Sequence, residues 1–216
     1  MIRVVTVVVW GMSVTIQAQT LPPFESEIRA FEATDKTTPP PRQPILFTGS
    51  SSIRLWDSLQ GYFPDKVVLN RGFGGSELSD VIRYADRVIV RYQPKQVVLY
   101  AGENDIATGK QTGQQTYERF VTLFRYVRKK LPNVPFTFIS IKPSPSRRAY
   151  FSEVKEANRL ISQFLANQRN TSFVDIQPVM LQANGQPVGE LFKPDSLHMK
   201  PEGYRRWAKV LRPYLK

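Results

Sequence analysis

The chain has 216 residues, 41% apolar and 22% charged, which excludes a disordered polymer and suits a globular unit able to bury its own core. With no cysteine and a single histidine, it cannot form disulfides, thiolate metal sites, a thiol nucleophile or a multi-histidine metal centre. Lysine and arginine number 30 against 18 acidic residues, and the net charge of +12 raises the question of an anionic partner.

The chain begins Met1-Ile2-Arg3, continues uncharged through the Val-rich run 4–16, and reaches Gln17-Ala18-Gln19-Thr20. One basic residue, a short apolar stretch and a small residue have the layout of a secretory signal, with cleavage expected after Ala18. The run is too short to cross a bilayer as a helix, which takes about 20 residues. A buried first strand is the competing reading of such a run. The helix- and strand-breaking Leu21-Pro22-Pro23 that follows favours the signal. We therefore expect residues 1–18 to be removed, the protein to be secreted or periplasmic, and no stable membrane insertion. Residues 19–43 read as a helix with Phe24, Ile28 and Phe31 on one face, then a stiff connector at Pro39-Pro40-Pro41.

From residue 44 to 216, apolar runs of strand length alternate with amphipathic segments. Strands are expected at 45–48, 66–70, 96–101, 136–141 and 172–176, and helices at 77–91, 112–130, 147–167 and 201–215. The strands are nearly all apolar rather than alternating, as in a sheet covered on both faces. The expected fold is α/β: a five-stranded parallel sheet in a three-layer α/β/α sandwich, with right-handed crossovers.

In such a sheet, reacting groups gather in the loops beyond the carboxyl ends of the strands. Those loops read Gly49-Ser50-Ser51-Ser52, Asn70-Arg71-Gly72-Phe73-Gly74-Gly75, Gly102-Glu103-Asn104-Asp105 and, before the last helix, Asp195-Ser196-Leu197-His198. Each has a plain structural use: serines cap helices, glycines serve turns, and asparagine with aspartate favours turns. Their order along the chain is the more informative signal. From about residue 45 to the carboxyl terminus the chain resembles the GDSL/SGNH hydrolase family, whose blocks fall in this order on a flavodoxin-like domain. The family's Gly-Asp-Ser block is met by Gly49, Ser50 and Ser51, and its Asn-x-Gly-x-x-Gly block by Asn70, Gly72 and Gly75. Gly102, Asn104 and Asp105 match Gly-x-Asn-Asp, and Asp195 and His198 match Asp-x-x-His.

The resemblance implies a serine esterase with Ser51 as nucleophile, His198 as base and Asp195 as the carboxylate that orients it. It implies an oxyanion hole made by the N–H of Ser51, the N–H of Gly75 and the side chain of Asn104. No cofactor and no metal are expected. Ser50 departs from the family's aspartate, and the run of three serines leaves Ser52 as an alternative nucleophile. The expected substrate is a short, acetyl-type ester, with O-acetyl groups on carbohydrate favoured over lysophospholipid or thioester. Trp56, Phe73 and Tyr100 lie near the blocks and could face a sugar or pack the core. The rival reading is a non-catalytic basic domain that binds anionic polymers. The cations are spread through the chain without a nucleic-acid reader motif, so no nucleic-acid partner is expected, and the positive field fits attraction to an acidic polysaccharide.

Overall fold

A computed structural model describes residues 21–216 except Thr108 and Lys110. The expected signal segment and its cleavage point lie outside the described residues. Helix α1 (Glu25–Thr37) precedes strand β1 (Ile45–Gly49), short helices α2 (Ser51–Arg54) and α3 (Leu59–Tyr62), and strand β2 (Val68–Gly72). Then come α4 (Leu78–Val88), β3 (Gln96–Tyr100), α5 (Glu103–Ala107) and α6 (Gly113–Lys130). The chain ends with β4 (Phe136–Ile139), α7 (Phe151–Ala166), β5 (Thr171–Val174), α8 (Gln177–Met180) and α9 (Pro201–Leu211).

The five strands form one sheet in the order β2-β1-β3-β4-β5, every pair parallel. Alternate residues of each strand feed opposite faces, as a period of two requires. Leu46, Val97, Leu99, Phe136 and Phe138 pack under α1, α4, α6 and α7. Ile45, Phe47, Val98, Tyr100 and Ile139 pack against Trp56, Phe63, Trp207 and Leu211 on the other side. The result is the expected three-layer α/β/α sandwich of flavodoxin-like order, whose topological switch point falls between β1 and β3.

Expectation and structure part at the edges. The second strand is expected at 66–70, but its ladder runs Ile45↔Val68 to Gly49↔Gly72, two residues later, because Lys66 is held in a turn by Phe63 O (3.0 Å). Three of the four β5 residues are half-exposed, so this edge strand is not covered on both faces. The helix expected over 77–91 stops at Val88, with Gln93 beyond it in the left-handed region. The one expected over 147–167 starts at Phe151, after a 3-10 turn led by Pro145. The last helix ends at Leu211 because Pro213 has no N–H to continue it.

Phe120 of α6 is fully buried, its ring against those of Phe124, Phe136, Phe138 and Phe164 at centroid distances of 4.9–6.2 Å. Truncation there leaves a cavity that neighbouring rings cannot close. Phe120→Ala should therefore cost about 3–5 kcal/mol in urea denaturation, with kcat kept below the transition. A loss below about 1 kcal/mol would show that this layer does not hold the fold.

Candidate active site

Strand β1 ends at Gly49 with φ 122°, where a Cβ would lie 1.9 Å from the Tyr100 carbonyl oxygen. Only glycine lets β1 run this close to β3, where the Ser50 N–H donates to Tyr100 O (3.0 Å). The chain then turns into α2, and the Ser50 carbonyl accepts from the N–H groups of Ile53 and Arg54. Ser51 is the first residue of that helix, where the backbone N–H has no intrahelical acceptor. Ser50 and Ser52 are buried on either side of it, and Ser51 is half-exposed.

Asn70 clamps the neighbouring loop. Its Nδ2 donates to Ile53 O (2.6 Å) and its Oδ1 accepts from the Gly72 N–H (2.9 Å), tying the end of β2 to α2. A Cβ on Gly72 would sit 2.5 Å from the Arg54 nitrogen, so glycine is needed for this approach as well. Three residues on, Gly75 is exposed, and the nearest group to its would-be Cβ is Asn104 Nδ2 at 3.8 Å. Asn104 donates one amide hydrogen to Ser76 O (3.1 Å), which leaves the other for a ligand. Asn104 is the accessible residue of α5, between the buried Glu103 and Asp105.

His198 closes the arrangement. Its Nε2 lies 3.1 Å from Ser51 Oγ and its Nδ1 lies 2.6 Å from Asp195 Oδ2. An ionised carboxylate only accepts, so Nδ1 carries the proton and the Nε2 lone pair faces the hydroxyl. Asp195 Oδ1 accepts from the N–H groups of Leu197 and His198, both at 2.9 Å. Ser196 between them adopts φ 55°, the left-handed turn that brings the carboxylate back to the ring. These contacts hold the Asp195 carboxyl at a pKa of about 2: the Leu197 N–H lowers it most, partial desolvation opposes, and the His198 ring and amide lower it further. The stabilisation this represents is complete above about pH 4 and is lost as pH falls through about 2; with nearly half the side chain in solvent, it is small. A neutral imidazole between an ionised carboxylate and a hydroxyl can take up the hydroxyl's proton.

The expected residues Ser51, Asp195 and His198 thus meet across the chain, and Gly75 and Asn104 are neighbours. Ser52 is buried, and its hydroxyl makes no contact with His198. The GDSL-like lipase/acylhydrolase family model matches residues 41–206. The chain belongs to that family. It is therefore a carboxylic ester hydrolase. Three solved structures show the same fold. One, from Streptococcus pneumonia, has 21% identity and TM-score 0.78, covering 89% of this chain and 92% of that one. A GDSL-like lipase from Bacteroides thetaiotaomicron has 18% identity and TM-score 0.71, covering 88% and 97%. A family 3 carbohydrate esterase from Clostridium thermocellum has 15% identity and TM-score 0.63, covering 78% and 92%. No protein of curated function matches by sequence.

Around its site this GDSL-like hydrolase has buried polar contacts of Glu103 and Asp105 that sequence reasoning did not find, although both residues lie in the loop it singled out. Glu103 is buried between Gly102 and Asn104 and accepts from Tyr100 Oη (2.8 Å), Lys142 Nζ and Ser144 Oγ. Burial pushes the Lys142 ammonium pKa down, and the Glu103 charge pulls it back up. Asp105 is fully buried, accepting from the Leu78 N–H (3.0 Å) and Arg119 (2.9 Å); burial raises its pKa and Arg119 opposes the rise. The sequence signals for the Glu103–Lys142 pair were a glutamate in the Gly102–Asp105 loop and a lysine after an apolar strand. Trp56, Phe73 and Tyr100 are all buried, so the core reading holds for each and none is available to stack on a sugar. Among the described residues no three His, Asp or Glu side chains converge as a metal site requires. Removing one member of the buried pair leaves the other charge uncompensated. Lys142→Met should lower stability by about 3–5 kcal/mol, and Glu103→Gln added to it should recover most of the loss. Calorimetry of the two variants checks this, and equal stability of Lys142→Met and the parent protein would contradict it.

Proposed function

We propose that the enzyme is an exported esterase that removes short acyl groups, acetyl above all, from carbohydrate by a Ser51-His198-Asp195 acyl-enzyme mechanism. The observation that carries this reading is the 3.1 Å approach of His198 Nε2 to Ser51 Oγ. His198 takes the Ser51 proton as Oγ attacks the ester carbonyl, and Asp195 stabilises the imidazolium that forms. The carbonyl oxygen becomes an oxyanion that accepts from the N–H groups of Ser51 and Gly75 and from Asn104 Nδ2. His198 then gives its proton to the leaving alcohol oxygen, and the carbon–oxygen bond breaks to leave acyl-Ser51. Water, deprotonated by His198, attacks the acyl carbon. The acid leaves and Ser51 regains its proton.

The short-acyl reading is supported by surface chemistry. Among the described residues, the large apolar side chains that are exposed are Leu21, Val67 and Tyr214. Val67 precedes β2, and the Tyr214 carbonyl accepts from Gln96 at the start of β3, so these two lie at the amino-terminal end of the sheet, away from the site, which leaves Leu21, four residues before α1, as the one not placed at that end. A lysophospholipid or long acyl thioester would need an apolar surface nearer Ser51. Attraction to acidic polysaccharide is supported by Arg147, Arg148 and Lys193, which form no ion pair among the described residues. Lys193 donates its N–H to His198 O (2.7 Å), and Ser146, beside Arg147, donates to Ser196 O (3.0 Å). The export part rests on the layout of residues 1–18.

On p-nitrophenyl acetate, Ser51→Ala should fall to background while Ser52→Ala stays within about tenfold of the parent kcat. Asn104→Ala should lower kcat about 10²–10³-fold at nearly unchanged KM. Across acetyl, butyryl and octanoyl esters kcat/KM should decline, and a preference for octanoyl would contradict the short-acyl reading. KM on an acetylated acidic polysaccharide should rise between about 0.05 and about 0.5 M salt, with no rise on a neutral one. Equal KM at both salt levels would remove the electrostatic part.

A further inference from the structure

Helix α1 lies outside the matched family region, yet it is bonded to the loop that leads to Gly75. Glu27 Oε2 accepts from the Gly74 N–H at 2.9 Å, the residue just before the proposed oxyanion donor. Gly74 has φ +40°, and a Cβ on it would fall 2.2 Å from the Phe24 ring and 3.0 Å from Glu27 Oε1. Phe24 itself sits at φ 64°, a strained conformation for a bulky residue, with its ring edge-on to Phe73 at 5.5 Å. Further along α1, Asp35 accepts from Arg71 of β2 and from Tyr92 Oη (2.6 Å), while Glu25 and Glu32 take Arg87 of α4 at 2.7 Å. These outer pairs seat the helix. Glu27 is the α1 side chain that bonds the glycine loop itself.

We infer that Glu27 is a positioning residue for the oxyanion hole: by accepting the Gly74 N–H it fixes the peptide between residues 73 and 74, anchors the left-handed Gly74 that follows, and so aims the Gly75 N–H of the next peptide at the substrate oxygen. The inference rests on the proposed Ser51 mechanism. Its physical basis is that a glycine pair has wide backbone freedom, whereas an oxyanion donor acts only when already aimed. A bare carboxylate so close would repel the developing negative charge. Arg54 Nε lies 3.9 Å from the same Oε2 and offsets it. Because the function lies in accepting a hydrogen bond, an amide in place of the carboxylate should serve almost as well.

Kinetics on p-nitrophenyl acetate with four full-length variants test this. Glu27→Ala should lower kcat about 10- to 100-fold with KM within about twofold, part of the 10²–10³ expected for losing a donor outright. Glu27→Gln should stay within about threefold of the parent kcat, since its amide oxygen still accepts from Gly74. Glu32→Ala, which loosens α1 at Arg87 away from the loop, should lower Tm with kcat within about threefold. Parent-level kcat in Glu27→Ala, an equal loss in Glu27→Gln, or an equal loss in Glu32→Ala would each overturn the assignment. Ser51→Ala separates the two levels. An inactive Ser51→Ala beside a fully active Glu27→Ala refutes only the positioning role, whereas an active Ser51→Ala refutes the mechanism on which it rests.

Discussion

The molecule has one imidazole, and every acid–base step proposed for it depends on that ring reaching a hydroxyl 147 residues away. The 3.1 Å contact is held from both ends. On the serine side, Gly49 lets β1 lie against the Tyr100 carbonyl, and Asn70 fastens α2 to the end of β2. On the histidine side, the left-handed Ser196 folds Asp195 under the ring, Phe192 and Met199 pair as an antiparallel bridge, and Tyr204 of α9 donates to Ser52 O at 3.0 Å. The last of these joins the two ends directly. Such over-determination is what allows a strained turn to persist at a functional site.

The fold was legible where burial is complete. β1 and β3 are flanked by strands on both edges and their apolar runs coincide with their ladders to within a residue, whereas β4, equally flanked and expected to reach 141, ends at Ile139 because the Asn158 side chain takes both backbone groups of Ile141. Edge strands were less readable: β2 begins two residues late and β5 is half-exposed, because pairing on one side only leaves turn chemistry and solvent to decide their limits. Helix ends moved for local reasons that proline explains at residues 145 and 213. The site residues could be listed from the sequence because the segments after β1, β2 and β3 and the one before α9 resemble the blocks of the GDSL/SGNH family, and the parallel topology gathers strand ends at one edge. What could not be read were contacts that depend on three-dimensional closeness alone. Glu27 looks like any polar residue on an amphipathic helix, and its partner is a backbone N–H 47 positions on. Lys142 and Glu103 lie 39 positions apart and carry no spacing that marks them as a pair.

Around the site, accessible and buried residues alternate in a way that separates chemistry from support. Ser51, Gly75, Asn104 and His198 remain open to a ligand, while Ser50, Ser52, Gly74, Glu103 and Asp105 beside them are buried. The buried neighbours are polar and hydrogen-bonded to different elements: Asp105 to α4 and α6, Glu103 to the segment after β4. Buried charges of this sort add little net stability, but they hold a unique geometry when every partner is present. The positive surplus reads in the same way. Many arginines are spent on α1 and α4 or on backbone carbonyls, as Arg87 and Arg128 show, while Arg148 and Lys193 near the catalytic loop form no ion pair among the described residues.

The most direct test is covalent. A fluorophosphonate probe reacts with a serine only when a neighbouring base has activated it, so peptide mapping of the labelled protein reads the Ser51–His198 contact itself. The account predicts one label per chain, on Ser51, and none after His198→Ala. Labelling of Ser52, or undiminished labelling of Ser51 without the imidazole, would contradict it.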